Sequence, residues 1–480
     1  METTVQRESL RSLYDDWGAQ PNCRARIRWT VEWSRVWLLP ILRPFASVAM
    51  RLFYRFEVGG DPIPADGPLL LVANHPNMGT DAGGVIVAAP RPVRFLAKAP
   101  LFETRIAGPL LRGIGAIPIF RRQDDLSAAD RNEQTFEAVR NALAAGWAVA
   151  VFPEGISHGE PSLTTLRTGA ARMALSVSSR GGPVVPIIPV GMTYRHKSRF
   201  RSRALAMVAP PILWDDLAAS SENDAESVRE LTRRIEESLR GVTVNLERWE
   251  DAPAVLVAEA IGAAASGLTG NAEQKVARIQ KIAADFARAR SEKPELLAEL
   301  ERDLLDFDAI LRELKLSPRT LEIATQASVA FRWLIGRVLP FALVLPLLAV
   351  GLPLFHLPYR ATGELASRFG GDEVKATLKI LGGTAVFAIY IGLLAAAAGW
   401  WLGWKAALLV LFALPLLAAA TSAGVSWWKR TRLEARRFLL LRSRTSLREA
   451  LLLRRDALDA RIREIRSGGD PVRPQPGSAR

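Results

Sequence analysis

Short and long apolar runs divide this chain into two halves. Leu69–Ala73 is a strand-length run, apolar at every position, that stops at Asn74-His75-Pro76 and gives way to a polar, glycine-bearing turn reaching Asp81. A run of that kind reads as a strand buried on both faces that delivers a loop at its carboxyl end. Val93–Ala97, a short run before Arg121, Trp147–Phe152 and Val184–Val190 repeat the pattern, with helix-like segments between them at Ala82–Ala89, Glu103–Leu111 and Ser127–Ala145. Strands alternating with helices predict an α/β unit, whose sites lie at the carboxyl ends of the strands. Pro183, Pro186 and Pro189 predict that the last strand is an edge or irregular one, lining a tunnel or rim.

Beyond residue 250 the period changes. Leu297, Leu300, Leu304, Phe307, Leu311 and Leu314 recur at helical spacing until Ser317-Pro318 breaks the pattern, which predicts a helical domain with that stripe as its core. Ile380–Ala398 and Ala406–Val425 are long enough to span a bilayer, joined by a Trp-rich turn. Phe331–Leu357 is apolar but carries Pro340, Pro346 and Pro353. Three full crossings would put the basic segment after Lys429 and the α/β unit on opposite faces, so this first segment is expected to dip into the cytoplasmic leaflet and return, bent at its prolines. Arginines alternating with Trp29, Trp33 and Trp37 predict an interfacial amphipathic segment near the start, a core-packed helix being the alternative.

Together these patterns give an N-terminal membrane-associated segment (1–58), an α/β domain (59–250), a helical domain (251–328), a membrane region (329–428), a basic amphipathic helix (429–466) and a disordered tail (467–480). The 480 residues carry a net charge of +14, and from Trp427 onward 15 Arg/Lys face only 6 Asp/Glu. Beside apolar spans, such a charge suits an anionic membrane surface, and no motif accompanies it that would suit nucleic acid. The single cysteine, Cys23, permits no intrachain disulfide and fits a reducing compartment. No secretory leader is expected in the charged first residues. Four scattered histidines lack ligand spacing, so no metal site is expected.

The candidate chemistry lies at the strand ends. His75 is a candidate general base, and Asp81 a carboxylate able to hold its tautomer, provided that the five residues between them fold back as a loop. Arg121, delivered to the end of its short strand, has a fork that matches phosphate or carboxylate oxygens. Glu154 and Gly155 put a polar group and an open backbone on the rim after Trp147–Phe152.

Four segments, NHPNMGTD, GAIPIFRR, FPEGISH and VPIIPVG, occur in an order and at intervals that resemble the four blocks of the glycerolipid acyltransferase superfamily, over roughly residues 50–250. The five-residue His–Asp interval is similar to that of a subgroup of glycerol-3-phosphate/dihydroxyacetone-phosphate acyltransferases; the commoner interval is four. The resemblance implies an acyltransferase-type mixed sheet flanked by helices, ahead of the helical domain and a C-terminal membrane-anchoring region. It implies O-acyl transfer from acyl-CoA or acyl carrier protein, with no cofactor, to glycerol-3-phosphate or lysophosphatidate. His75 would then be the base and Asp81 its support, Arg121 or Lys98 would hold the phosphate, Glu154 and Gly155 the glycerol backbone, and Pro189 would shape an acyl or acceptor channel. Membrane lipids are the expected partners, at a bacterial inner membrane with the catalytic domain cytoplasmic. A catalytically silent lipid-binding or scaffolding protein is the rival expectation.

Overall fold

A computed structural model describes residues 36, 38–105, 107–120, 128–160, 162–248, 250–268, 270–322, 327–369 and 375–466. Seven strands form one mixed sheet: β1 (Tyr54–Gly60), β2 (Leu69–Ala73), β3 (Val93–Lys98), β4 (Ile117–Ile119), β5 (Ala148–Val151), β6 (Ile187–Tyr194) and β7 (Ser202–Val208), in the order β1-β7-β6-β2-β5-β3-β4. All pairs are parallel except β6 with β7. The apolar run Leu69–Ala73 is indeed a central strand, every residue of it buried. Helices α1 (Leu39–Phe53), α2 (Gly79–Ala88), α3 (Ala107–Gly113), α4 (Ala128–Ala144), α5 (Gly169–Ser178) and α6 (Ala225–Val242) cover its faces.

The N-terminal boundary differs from the expectation. Tyr54–Gly60 alternates in sequence and pairs along its whole length with β7, so the sheet begins inside the segment assigned to the membrane. The alternating burial at Tyr54, Arg55 and Phe56 is the period-two signal of an edge strand. Helix α1 just before it packs on the domain through Met50 and Phe53, and Arg43 donates to Ala89 O at 3.0 Å. Ile41, Phe45, Val48 and Leu52 stay exposed along its other side. The Trp29 and Trp33 part of this segment and the tail expected at 467–480 lie outside the described residues.

The proline-rich strand is also placed differently: β6 is interior, flanked by β2 and β7. Pro183 and Pro186 precede it. Pro189 sits opposite Val72 and accepts from Ala209 N–H at 2.9 Å, just where β7 has ended at Val208. The proline thus stands just past the last β6–β7 ladder pair, Val190 with Val208, a place where an interior strand tolerates it.

Helices α7 (Asp251–Ala265), α8 (Ala272–Glu292) and α9 (Pro294–Glu313) form a second unit around Leu300, Leu304 and Phe307. Three further helices, α10 (Ala327–Phe369), α11 (Lys375–Leu402) and α12 (Trp404–Ser443), contain stretches long and apolar enough to cross a membrane. α11 and α12 are joined at Gly403 (φ 87°) and fold back on each other. The first half of α10 runs antiparallel to α12: Arg337 pairs with Glu434 at 3.2 Å, Phe341 stacks on Trp427 and Trp428, and Gly351 abuts Thr421. Its second half runs antiparallel to α11: Leu354 O accepts from the Tyr390 hydroxyl at 2.9 Å, Phe355 stacks on Phe387, and Thr362 abuts Gly383. No straight helix is antiparallel to both arms of a hairpin. α10 is therefore bent between Gly351 and Thr362, where Pro353 and Pro358 weaken the backbone ladder. It runs on to Phe369, past the expected end at Leu357.

The basic segment after Lys429 is not a separate surface helix. α12 carries it to Ser443, and α13 (Thr445–Arg466) then packs Leu451, Leu458, Ile462 and Ile465 into the core of α7–α9. Arg455 pairs with Glu322, Arg461 with Asp303 and Arg466 with Asp285. An apolar stripe with a ready partner and acids opposite its arginines packs against protein in preference to lipid.

Candidate active site

The loop after β2 builds the site. Asn74 splices it onto β6, its side chain accepting from Met192 N–H at 2.6 Å and donating to Met192 O at 3.1 Å. Met78 takes φ 44°, ψ −125°, outside the usual left-handed basin, at a cost of about 1–3 kcal/mol. That kink ends the five-residue loop and starts α2, so Asp81 in its first turn points back at the histidine. His75 Nδ1–H donates to Asp81 Oδ2 at 2.9 Å. The imidazole is 18% exposed and the carboxylate fully buried.

Every oxygen of Asp81 is engaged. Oδ2 also accepts from Asn77 N–H at 2.7 Å, and Oδ1 accepts from the Tyr194 hydroxyl at 2.8 Å. Burial raises the Asp81 carboxyl, against the lowering effect of His75 and these donors. Burial also raises the Tyr194 and Tyr54 hydroxyls, so both stay protonated donors. Phe152 lies flat against the imidazole, 4.2 Å between centroids. With Nδ1 fixed as the donor, Nε2 carries the lone pair, and an acceptor at Nε2 able to take a proton is what a general base requires.

Glu154 is placed otherwise than its position on the rim suggested. It is buried, and its Oε1 accepts from the backbone N–H of His75 at 2.7 Å. Its Oε2 takes His158 Nε2, with Thr164 N–H and the Thr164 hydroxyl both at 3.0 Å. One oxygen thus braces the His75 loop and the other ties in His158 and Thr164. Gly155 (φ +74°) makes room for protein too: a Cβ there would stand 2.6 Å from Arg167 Nε. Lys98 is exposed at the end of β3, two strands from β2, roughly 10 Å along the rim. Pro189 is buried within the sheet. Arg121 and Arg122 lie outside the described residues.

Sequence reasoning had passed over Asn77, Phe152, His158 and Tyr194. Phe152 and His158 flank the PEG turn that was singled out. Tyr194 arrives from 113 positions away and gave no local signal. Among the described residues no group of three or more His, Cys, Asp or Glu side chains is arranged to hold a metal ion.

Residues 55–193, which hold all of these groups except Tyr54 and Tyr194, match the family model described as Acyltransferase. This stretch is an acyltransferase domain. Its surrounding chain is 28% identical over 264 residues to glycerol-3-phosphate O-acyltransferase 1 of Saccharomyces cerevisiae, covering 51% of this chain and 34% of that protein. It is 36% identical over 122 residues to glycerol-3-phosphate O-acyltransferase 2 of the same yeast, covering 25% and 16%. The chain therefore spans about a third or less of the curated relatives it matches. The crystal structure of the 1-acyl-sn-glycerophosphate (LPA) acyltransferase PlsC from Thermotoga maritima is similar at a TM-score of 0.33 and 19% identity, over 50% of this chain and 92% of that one. Residues 55–193 hold β2 to β5 whole and nearly all of β1 and β6; β7 and the helices from α6 to α13 lie beyond them.

Proposed function

We propose that this chain is a membrane-bound O-acyltransferase that moves a fatty acyl group from a thioester, acyl-CoA or acyl carrier protein, to a hydroxyl of phosphorylated glycerol. The observation that carries the reading is the 2.9 Å His75–Asp81 contact at the end of the central strand of an acyltransferase domain. Glycerol-3-phosphate is the favoured acceptor over lysophosphatidate, supported by the likeness to the two yeast glycerol-3-phosphate O-acyltransferases.

In the proposed step the acceptor oxygen attacks the thioester carbonyl while its proton passes to His75 Nε2. The carbon–sulfur bond then breaks, and the leaving thiolate takes that proton from the imidazolium. Asp81 holds the ring and stabilises its charge as it forms. Arg167, beside Gly155, joins Arg121 and Lys98 as a candidate for the acceptor phosphate.

The helical hairpin α11–α12 crosses the bilayer in this reading, with Trp400, Trp401 and Trp404 exposed at its tip, as the aromatic side chains of a membrane interface would be. α10 enters and returns, which leaves the sheet, the α7–α9 unit and α13 on one face. The positive charge of that face argues for the cytoplasmic side. A cysteine at Trp401 should react with an impermeant reagent from the opposite side to one at Gly363; labelling of both from one side would overturn the topology.

The deciding experiment incubates purified protein with acyl-CoA and each acceptor in turn, following thiol release and the mass of the product. Acylation of glycerol-3-phosphate above a His75→Ala blank is expected. Release no greater than that blank with every acceptor would leave the silent lipid-binding reading in its place.

A further inference from the structure

The tip of the β6–β7 hairpin plays no part in the chemistry above, yet its charge is all of one sign. From Arg195 to Arg203 it reads RHKSRFRSR, with no acid. Arg203 sits directly opposite Arg55 of β1 in the parallel register. Arg201 takes φ 60°, and its buried Nε has no partner. The field of Arg201, Arg203 and Arg430, the last from α12, lowers the Arg55 guanidinium after the effect of its own desolvation. Like charges held together in this way attract an anion.

The neighbouring surface identifies the anion. Lys379, one turn into α11, donates to Ser198 O of the tip at 2.7 Å. Arg201 N–H donates to Phe53 O at the end of α1, and exposed Phe200 packs edge-on against Phe53. The cations are thus continuous with the exposed Ile41–Phe45–Val48–Leu52 stripe and with the root of the hairpin. An apolar stripe rimmed by guanidinium groups fits the headgroup layer of a bilayer, where acyl chains and phosphates lie side by side.

We infer that the β6–β7 tip, with Arg55 and Arg430, binds the phosphates of anionic lipids and seats the acyltransferase domain on the membrane. The inference rests on the membrane reading above but not on acyl transfer. The same tip touches the site: Lys197 O accepts from both the Tyr54 hydroxyl and Asn77 Nδ2, and Asn77 N–H donates to Asp81. A seated tip therefore steadies the loop that holds His75.

The full chain is reconstituted in nanodiscs of equal phosphatidylglycerol and phosphatidylcholine, released, and the lipid it retains is counted by native mass spectrometry. Wild type should retain phosphatidylglycerol in preference to phosphatidylcholine. Arg55→Gln/Arg199→Gln/Arg203→Gln should lower that preference by about a hundredfold, since each basic side chain near an anionic surface contributes about fivefold. Circular dichroism and gel filtration matching wild type would exclude misfolding, and where the triple variant fails to fold the single variant Arg199→Gln replaces it. An unchanged preference in a folded variant would overturn the inference. Displacement of the lipid by millimolar inorganic phosphate or glycerol-3-phosphate would overturn it too, as it would mark a site for a free phosphate. Because retention is read without turnover, a silent active site leaves this result intact.

Discussion

The acyltransferase domain and the α7–α9 unit both bury carboxylates, and they treat them in opposite ways. Asp251, Glu259, Asp285 and Asp459 are each met by arginine: Arg290 with Asp251 at 2.8 Å, Arg278 with Glu259 at 2.8 Å, Arg288 with Asp285 at 2.9 Å, and Arg463 with Asp459. Asp81, the most deeply buried of the set, has no guanidinium; a hydroxyl, a backbone amide and an imidazole satisfy it. A fixed cation locks a carboxylate into a permanent pair, whereas neutral donors and a titratable ring leave it free to answer a proton moving nearby. The helical unit uses charge for architecture, and on the proposed function the sheet rim keeps it for chemistry.

The sharpest way to break this contrast is at the ring. His75→Ala should lower acyl transfer by about 10²–10⁴-fold, with unfolding in detergent little changed. Arg290→Ala should do the reverse: about 2 kcal/mol of stability lost in chemical denaturation, at unchanged turnover, because Asp251 keeps only the partly exposed Arg248. Tyr194→Phe removes one donor from Asp81 and should lower kcat by about tenfold with the acceptor KM unmoved, the size expected for a hydrogen bond to a charged group.

Acidity offers a finer test. The raised Asp81 carboxyl takes up its proton in the folded chain at a higher pH than in the unfolded chain. Its contribution to stability is therefore full below the ordinary carboxylate range and is lost as pH rises through the folded value. Asp81→Asn should remove that decline, so its melting temperature should fall less than that of wild type between about pH 4 and pH 7. The smallest effect is expected at the exposed Arg233–Glu230 pair, where Arg233→Gln should leave both melting and turnover as they are.

Much of the site could be read locally. The apolar run Leu69–Ala73 and its abrupt stop at Asn74 gave the central strand, the loop and His75 together, and Asp81 followed from the need for a partner. What escaped were the contacts made between distant segments. Ser202–Val208 has the Ala, Leu and Met content of a helix and is a strand only because β1 and β6 flank it. Glu154 was legible as a rim residue, but its turn inward depends on the backbone of His75, 79 positions away. The Leu451–Leu453 triplet marks an apolar face in α13 without saying whether lipid or α7–α9 will cover it.

The His75–Asp81 loop also leans on the long apolar helices of the chain. Thr377 lies against Gly79 at the start of α2, and Ala376 is buried in the same cluster as Leu71 and Val85. A cut between the two halves would thus strip a layer from the interior of the sheet domain, and any trimmed, water-soluble version would have to be given a new lining where the first turn of α11 had been.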